Sequence, residues 1–500
     1  MKNISPTGSA NYHNAINPTS RNLIRSFGVF SCAYVILIFI VNDSLNLFWG
    51  IILVVAGLVA IFWCTRGIAI FFTPLIFTLY YFCGYLLSLT DVMQHIHQKP
   101  FVGHESIGSF NLTNSDFHPV VITACVGIAA IICSSIISES VLWRFGHSSK
   151  NRIDTMFEIL DYRKLRNLII IWFIASIILI FALSLLEIGM IGLKGRTVLP
   201  YKIGGALVFA RNALVPAVGF LLLNLSVIKT RYRLTFLTLF FLLFLAFIGG
   251  VAGMSRAYIM SIALPLTLYL IFFSFKKRLL RRILFLFLPL ALFMTLFSLK
   301  AINAVRNFAY EVTYLTPADS YHVIKNLSPG SLSDLVGNFL ELATGAVGGV
   351  REVMATTSSQ IKDLYAPWAI FITDAKYLDS LTMSVFHFMP RTDEVRAFGT
   401  AFNLWGMFSL SGSYALIFFG SLISYMIVIF IEYVFLKRGL PCVAMFFSVY
   451  LSLRIWRNIY FYLLVRDILM VLLFYVIMGF ILKWLFRRSR SLIPTSFSRI

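Results

Sequence analysis

Two arginines interrupt apolar stretches in which a charged side chain is costly. Arg211 lies within "YKIGGALVFARNALVPAVGF", and Arg256 separates two apolar runs in "GGVAGMSRAYIM". A guanidinium keeps its charge, and its planar fork binds phosphate through two parallel hydrogen bonds. Each position therefore has two interpretations. It is a structural arginine paired with an acid or with helix-end carbonyls, or it is a cation that binds an anionic substrate group.

The neighbours of both arginines are compatible with an anion site. Gly204 and Gly205 precede Arg211 and allow another group to approach the backbone closely. The segment "GGVAG" before Arg256 does the same, and Ser255 is predicted to cap the helix that starts there. A helix N-terminus that carries an arginine attracts anions.

Both arginines are predicted to lie in or beside membrane-spanning helices. Of the 500 residues, 59% are hydrophobic and 13% are charged, against about 45–50% and about 25% in soluble domains. Apolar runs of roughly 17–25 residues recur, the length that a helix needs to cross a bilayer. The sequence predicts an all-α, polytopic membrane protein with about twelve spans, at 26–42, 46–64, 68–90, 119–142, 167–189, 204–228, 234–252, 257–275, 283–301, 413–436, 440–456 and 467–486.

The distribution of charge predicts the orientation of these spans. With the N-terminus inside, the inside segments hold 25 Lys and Arg against three acids, Asp154, Glu158 and Asp161. This positive-inside bias accounts for most of the net charge of +21 and leaves no reason to invoke a nucleic-acid partner. The predicted parts are an inside tail at 1–25, spans one to nine at 26–301, an outside loop at 302–412, spans ten to twelve at 413–486 and an inside tail at 487–500.

The outside face carries the candidate site residues. The 302–412 loop has 7 basic and 10 acidic residues with helix-compatible apolar patches, and we expect a folded, partly helical cap. We expect Arg466 and Asp467 to form an ion pair. No outside loop has a D-x-D sequence, and the histidine spacing in "HQKPFVGHE" matches no metal-ligand pattern, so no metal site is predicted. The outside arginines are Arg196, Arg211, Arg256, Arg306, Arg351, Arg391, Arg396, Arg454, Arg457 and Arg466.

Three segments resemble a known family. "GMSRAYIM" is similar to the Ser-Arg opening of a span in the bacterial Wzy-type O-antigen repeat-unit polymerases, which are related to the O-antigen ligases. "ARNALVPAVGFLLL" resembles their arginine-bearing span, and "MPRTDEVRAFGTAFNLWGMFSLSGSYALIFFG" resembles their Pro-Arg segment with its glycine-punctuated return into the membrane. The arginine-x10-glycine pattern of some polymerases is not kept, because the eleventh residue after Arg211 is Leu222.

The resemblance implies a metal-independent and cofactor-free glycosyltransferase at the periplasmic face of the bacterial inner membrane, with both termini cytoplasmic. Its substrate would be an undecaprenyl-diphosphate-linked oligosaccharide, with membrane lipid and a chain-length regulator protein as further partners. Arg211 and Arg256 would hold the donor diphosphate, and Arg306, Arg351 and Arg391 would close over it from the cap. The general base would be Glu352 or His387. The aromatic residues Tyr321, Tyr365, Trp368 and Trp405 are candidates for stacking on sugars.

Three other functions stay open from the sequence. An O-antigen ligase would use the same chemistry with lipid A-core as the acceptor. A transporter or flippase of lipid-linked oligosaccharide would suit twelve spans, although such carriers tend to have two similar halves, and no internal repeat is evident here. A glycosyltransferase that uses polyprenyl monophosphate sugars would be expected to have a large first outside loop.

Overall fold

The computed structural model describes 310 residues of the chain, in several separate ranges. They are residues 18–41, 47–66, 71–87, 89, 114–145, 162–186, 188, 203–228, 232–253, 255–274, 278–311, 322–326, 353, 356–357, 404–457 and 461–486. Among these residues the chain is almost entirely helical and has no strand, which confirms the predicted all-α class.

The helices follow the predicted spans closely. Two of the predicted spans, 68–90 and 204–228, contain a π-helical turn, at Tyr81–Leu86 and at Ala210–Leu214 respectively. The α-helices are α1 (Pro18–Val41), α2 (Leu47–Cys64), α3 (Thr73–Tyr80), α4 (Asn114–Phe145), α5 (Tyr162–Leu185), α6 (Ile203–Phe209), α7 (Val215–Ile228), α8 (Tyr232–Ala252), α9 (Arg256–Ser274), α10 (Arg278–Glu311), α11 (Leu404–Ser409), α12 (Tyr414–Lys437), α13 (Pro441–Arg457) and α14 (Phe461–Phe486).

Seven helical segments of the described residues are long and apolar enough to cross a membrane: Leu47–Cys64, Phe117–Val141, Tyr162–Leu185, Ile203–Val227, Arg233–Ala252, Tyr414–Lys437 and Asp467–Leu485. Three shorter apolar helical segments are Tyr258–Phe272, Pro289–Val305 and Pro441–Trp456. Several predicted boundaries differ from the observed helix ends, two of them by eight residues or more. Helix α1 begins eight residues before the predicted start at 26, and α10 continues ten residues past the predicted end at 301.

Helix α13 is the centre of the bundle. Its side chains are buried on nearly every face, and it packs against α3, α7, α9, α11, α12 and α14. A helix that is apolar all round is expected in the interior. The helices around it present apolar side chains outward instead: Ile171 and Ile178 of α5, and Phe430 of α12, are largely exposed. Such an apolar exterior is what a hydrocarbon environment requires.

Side-chain contacts join helix ends that an up-and-down bundle brings together. Arg66, just after α2, pairs with Glu139 near the end of α4 at 2.7 Å. Ser20 at the start of α1 donates to the carbonyl of Ile271 near the end of α9. We call this the lower end, and the charge bias predicts that it faces the cytoplasm. The opposite end, which holds Arg211, Gly253 and Arg454, is the upper end.

Glu432 of α12 caps α3 at the lower end, which the sequence pattern did not indicate. The residue before α3, Phe72, has no capping side chain, and Pro74 cannot donate a backbone hydrogen bond. The fully buried carboxylate of Glu432 instead accepts from the N–H of Phe72 at 2.5 Å. It also accepts from the N–H and Oγ1 of Thr73, at 3.0 and 2.6 Å. A carboxylate at a helix N-terminus also interacts favourably with the helix dipole.

Trp405 belongs to the core, and the suggestion that it stacks on sugars was wrong. The side chain is fully buried on α11, with its ring 4.8 Å from Trp456 and 5.5 Å from Tyr85. Its indole N–H donates to the hydroxyl of Tyr425 at 2.9 Å. Trp405 lies within the loop predicted at 302–412, so this part of the loop packs into the bundle. Tyr321, Tyr365 and Trp368 lie outside the described residues.

Candidate functional site

Arg211 lies on the π-helical turn between α6 and α7. The widened turn is evident where the N–H of Val215 bonds the carbonyl of Ala210, five residues earlier. Trp172 of α5 holds this region from the side, because its indole N–H donates to the carbonyl of Val215 at 3.0 Å. Isolated π-turns are rare and are frequently found at functional sites.

The Arg211 side chain points into the protein and is only 2% exposed. Its Nε donates to the side-chain oxygen of Asn212 at 2.9 Å. The two terminal nitrogens of the guanidinium lie against Gly253: a Cβ built on that glycine would be 3.0 Å from each. The cation also lies 5.9 Å from the centre of the Tyr258 ring. Gly253 therefore provides the space that the guanidinium occupies.

The glycines of "GGVAG" permit close contacts, as the sequence predicts. A Cβ on Gly249 would be 2.4 Å from the ring of Tyr258, and one on Gly250 would be 2.4 Å from Ile259. The predicted capping role of Ser255 is confirmed, since its Oγ accepts from the N–H of Tyr258 at 3.2 Å. The junction between α8 and α9 is thus closely packed, and it fixes the position of Tyr258 beside Arg211.

Tyr258 belongs to this site, although the sequence pattern did not single it out. Its side chain is 3% exposed, and its hydroxyl has no hydrogen-bond partner among the described residues. A buried hydroxyl without a partner loses free energy relative to one in water. The only sequence signal was an aromatic residue in the first turn of the helix that begins at Arg256.

The elements that carry Arg256 and Arg306 also meet at the upper end. Arg256 is the first residue of α9. Arg306 is on α10, four residues after Ile302, which packs in one cluster with Val251 and Ile259. The orientation of the Arg256 and Arg306 side chains lies outside what the structure describes. The remaining predicted site residues, outside the described ranges altogether, are Arg351, Glu352, His387 and Arg391.

A second polar cluster at the upper end joins α13 and α14. Arg454 Nε lies 3.8 Å from Oδ2 of Asp467, whose carboxylate is fully buried. The hydroxyl of Tyr450 lies 3.5 Å from the other carboxylate oxygen of Asp467. The predicted partner of Asp467 was Arg466, the next residue along the chain. The structure pairs it with Arg454 of the neighbouring helix, whereas the Arg466 side chain is outside the described part.

These features define a helical membrane-protein bundle with a buried cation near one end. Within a low-dielectric interior, a fixed guanidinium attracts an anion far more strongly than it does in water. An arginine there has a fork for two oxygens of a phosphate or carboxylate, and a tyrosine hydroxyl beside it can donate a further hydrogen bond. No protein-family model, curated protein or solved structure matches the chain.

Proposed function

We propose that this chain polymerises undecaprenyl-diphosphate-linked oligosaccharide repeat units by metal-independent glycosyl transfer. In this proposal it lies in the bacterial inner membrane with about twelve spans, both termini in the cytoplasm and the 302–412 loop in the periplasm. The observation that carries the proposal is the buried guanidinium of Arg211, held against Gly253 and Tyr258 at the upper end of an apolar bundle.

The chemistry needs stabilisation of negative charge more than it needs a proton donor. The donor sugar already carries a lipid diphosphate as its leaving group, and charge grows on that diphosphate as the glycosidic bond breaks. A cation that is already fixed and desolvated stabilises this charge without reorganisation during the reaction. Arg211 fits this role, and Arg256 and Arg306 belong to elements that converge on the same end of the bundle.

The hydroxyl of Tyr258 supports the same interpretation. It is buried beside Arg211 without a hydrogen-bond partner among the described residues. A diphosphate oxygen bound by Arg211 would supply an acceptor for it. In the proposed mechanism the two side chains orient the leaving group, while Glu352 or His387 removes the proton of the acceptor hydroxyl.

The test compares lipid-linked glycan chain lengths in cells that carry the full-length protein or its variants. Arg211→Ala is expected to abolish long chains while single repeat units still reach lipid A-core. Arg211→Lys keeps the charge but loses the two-pronged geometry, so a loss of at least tenfold is expected there too. Loss of all glycan from lipid A-core, with single units retained on the carrier lipid, would indicate a ligase instead.

A matched pair of glycine variants separates positioning of Arg211 from general damage. Gly253→Ala places a methyl group against the guanidinium, whereas a Cβ on Gly479 of α14 has no described atom within 4 Å. We expect Gly253→Ala to shorten the chains and Gly479→Ala to leave them unchanged, at equal protein levels. If Arg211 is only structural, Arg211→Ala lowers the amount of folded protein instead, and well-folded Arg211→Ala with normal chains would refute the proposal.

A further inference from the structure

A long apolar groove runs along the outside of the bundle between α12 and α14. Its volume is about 650 Å³. It follows α12 from Leu422 to Phe435, which is a rise of about 20 Å at 1.5 Å per residue. One leaflet of a bilayer core is about 15 Å thick, so the groove is long enough for the tail of a lipid. Its lining is Ile137, Leu422, Ile423, Met426, Ile427, Phe430, Ile431, Val434, Phe435, Ile468, Val471, Leu472 and Tyr475.

The groove has an aromatic wall at its lower end. Phe435 of α12 lies 5.8 Å from the ring of Phe474 of α14, and 6.5 Å from that of Tyr475. Rings from both helices thus meet there. Among the described residues that line the groove, only Tyr475 carries a hydroxyl and none is charged, so its interior suits a hydrocarbon chain.

Two cations stand at this lower end. Arg438 follows the last residue of α12, and its guanidinium lies 4.1 Å from the centre of the Tyr475 ring. Lys437 lies 5.7 Å from the ring of Tyr433 and is exposed. Neither cation forms an ion pair with an acid in the described part of the chain. Tyr475 therefore connects the apolar groove to the positive charge of Arg438.

The backbone keeps Arg438 in this position. Gly439 has a φ of +68°, and its carbonyl accepts from the side chain of Asn224 at 3.3 Å. The same Asn224 accepts from the N–H of Cys442 at 3.1 Å. This turn between α12 and α13 is thus tied to α7 from both sides, and Arg438 is presented from a fixed loop.

We propose that this groove binds an anionic phospholipid of the lower leaflet, with one acyl chain along α12 and the phosphate at Arg438 and Lys437. The positive charge of Arg438 and Lys437 determines which lipid headgroup is preferred. An apolar groove alone would accept any acyl chain, but two cations at its end favour a headgroup with net negative charge. The proposed substrate diphosphate belongs at the opposite end of the bundle, so this site is separate from the proposed function and does not depend on it.

The test uses the purified full-length protein in detergent, with phosphatidylglycerol and phosphatidylcholine of the same acyl chains as probes. Retained lipid is measured after washing, and thermal stability is measured with each lipid added. Wild-type protein is expected to retain about tenfold more phosphatidylglycerol than phosphatidylcholine, which is the factor that one charge-assisted contact supplies. Arg438→Gln is expected to reduce this preference to near onefold, whereas Lys483→Gln, on exposed α14 surface, retains it.

A matched pair on α14 tests the groove itself. Leu472 lines it and is 57% exposed, whereas Leu469, one turn earlier, is 58% exposed and does not line it. Leu472→Trp is expected to reduce retention of both lipids, and Leu469→Trp to leave retention unchanged. Equal retention in the two tryptophan variants, or equal preference for both lipids in wild type, would overturn the proposal. So would displacement of phosphatidylglycerol by undecaprenyl phosphate at equimolar concentration, since the groove would then belong to the isoprenoid.

Discussion

The contact between Gly127 and Trp405 offers the sharpest test of the packing that holds the upper half of the bundle. A Cβ on Gly127 of α4 would lie 2.1 Å from Cε2, 2.4 Å from Cζ2 and 2.5 Å from Nε1 of the indole. Nonbonded carbon atoms prefer about 3.5–4.0 Å, so Gly127→Ala requires the ring or the helix to move by more than about 1 Å.

The size of the effect follows from what surrounds the ring. Trp405 is fully buried and its ring lies next to those of Tyr81, Tyr85 and Trp456, so a shift toward any of them must displace a neighbour. Overpacking of this kind costs about 1–3 kcal/mol. The movement also breaks the bond from the indole N–H to Tyr425, and a buried polar group without a partner costs about 1–3 kcal/mol more. The expected loss is therefore about 2–6 kcal/mol in the free energy of unfolding.

The assay is thermal unfolding of the purified protein, with Gly479→Ala as the control. A Cβ on Gly479 has no described atom within 4 Å, so this helical substitution is expected to be neutral or stabilising by up to about 1 kcal/mol. Gly127→Ala should unfold at least several degrees lower, and adding Trp405→Phe should recover part of the loss, because a smaller ring relieves the contact. Equal stability of the two alanine variants would refute the packing argument.

Two further predictions concern the lower end and the orientation. Glu432→Ala removes the acceptor of three hydrogen bonds from Phe72 and Thr73, and should lower the free energy of unfolding by about 2–5 kcal/mol. Glu432→Gln keeps one acceptor oxygen, so its free energy of unfolding should fall by less. Equal stability of the two variants in thermal unfolding would contradict the capping role. A cysteine at Ser331, in a chain without its native cysteines, should react with a membrane-impermeant thiol reagent before the inner membrane is permeabilised, because the charge bias predicts that 302–412 lies outside. Reaction only after permeabilisation would reverse the predicted orientation.

Apolarity and length along the chain were enough to predict an all-α protein with apolar helices and the approximate positions of those helices. Each of the twelve predicted spans overlaps a helix of the structure. This was possible because length and apolarity are local properties of the chain, and because a membrane helix satisfies its backbone hydrogen bonds within its own segment. The same reasoning identified Arg211 as unusual and Ser255 as a cap, since each depends on residues close by in the chain.

Which residues meet could not be predicted from the sequence and became evident from the packing of the helices. Arg211 lies against Gly253, Glu432 caps α3 across more than 350 positions, and Trp405 fills the core instead of facing an outside solvent. Such contacts depend on how each helix is rotated about its axis. In a soluble helix the apolar stripe indicates that rotation, but a membrane helix is apolar toward both lipid and protein, so its sequence periodicity does not distinguish the two faces.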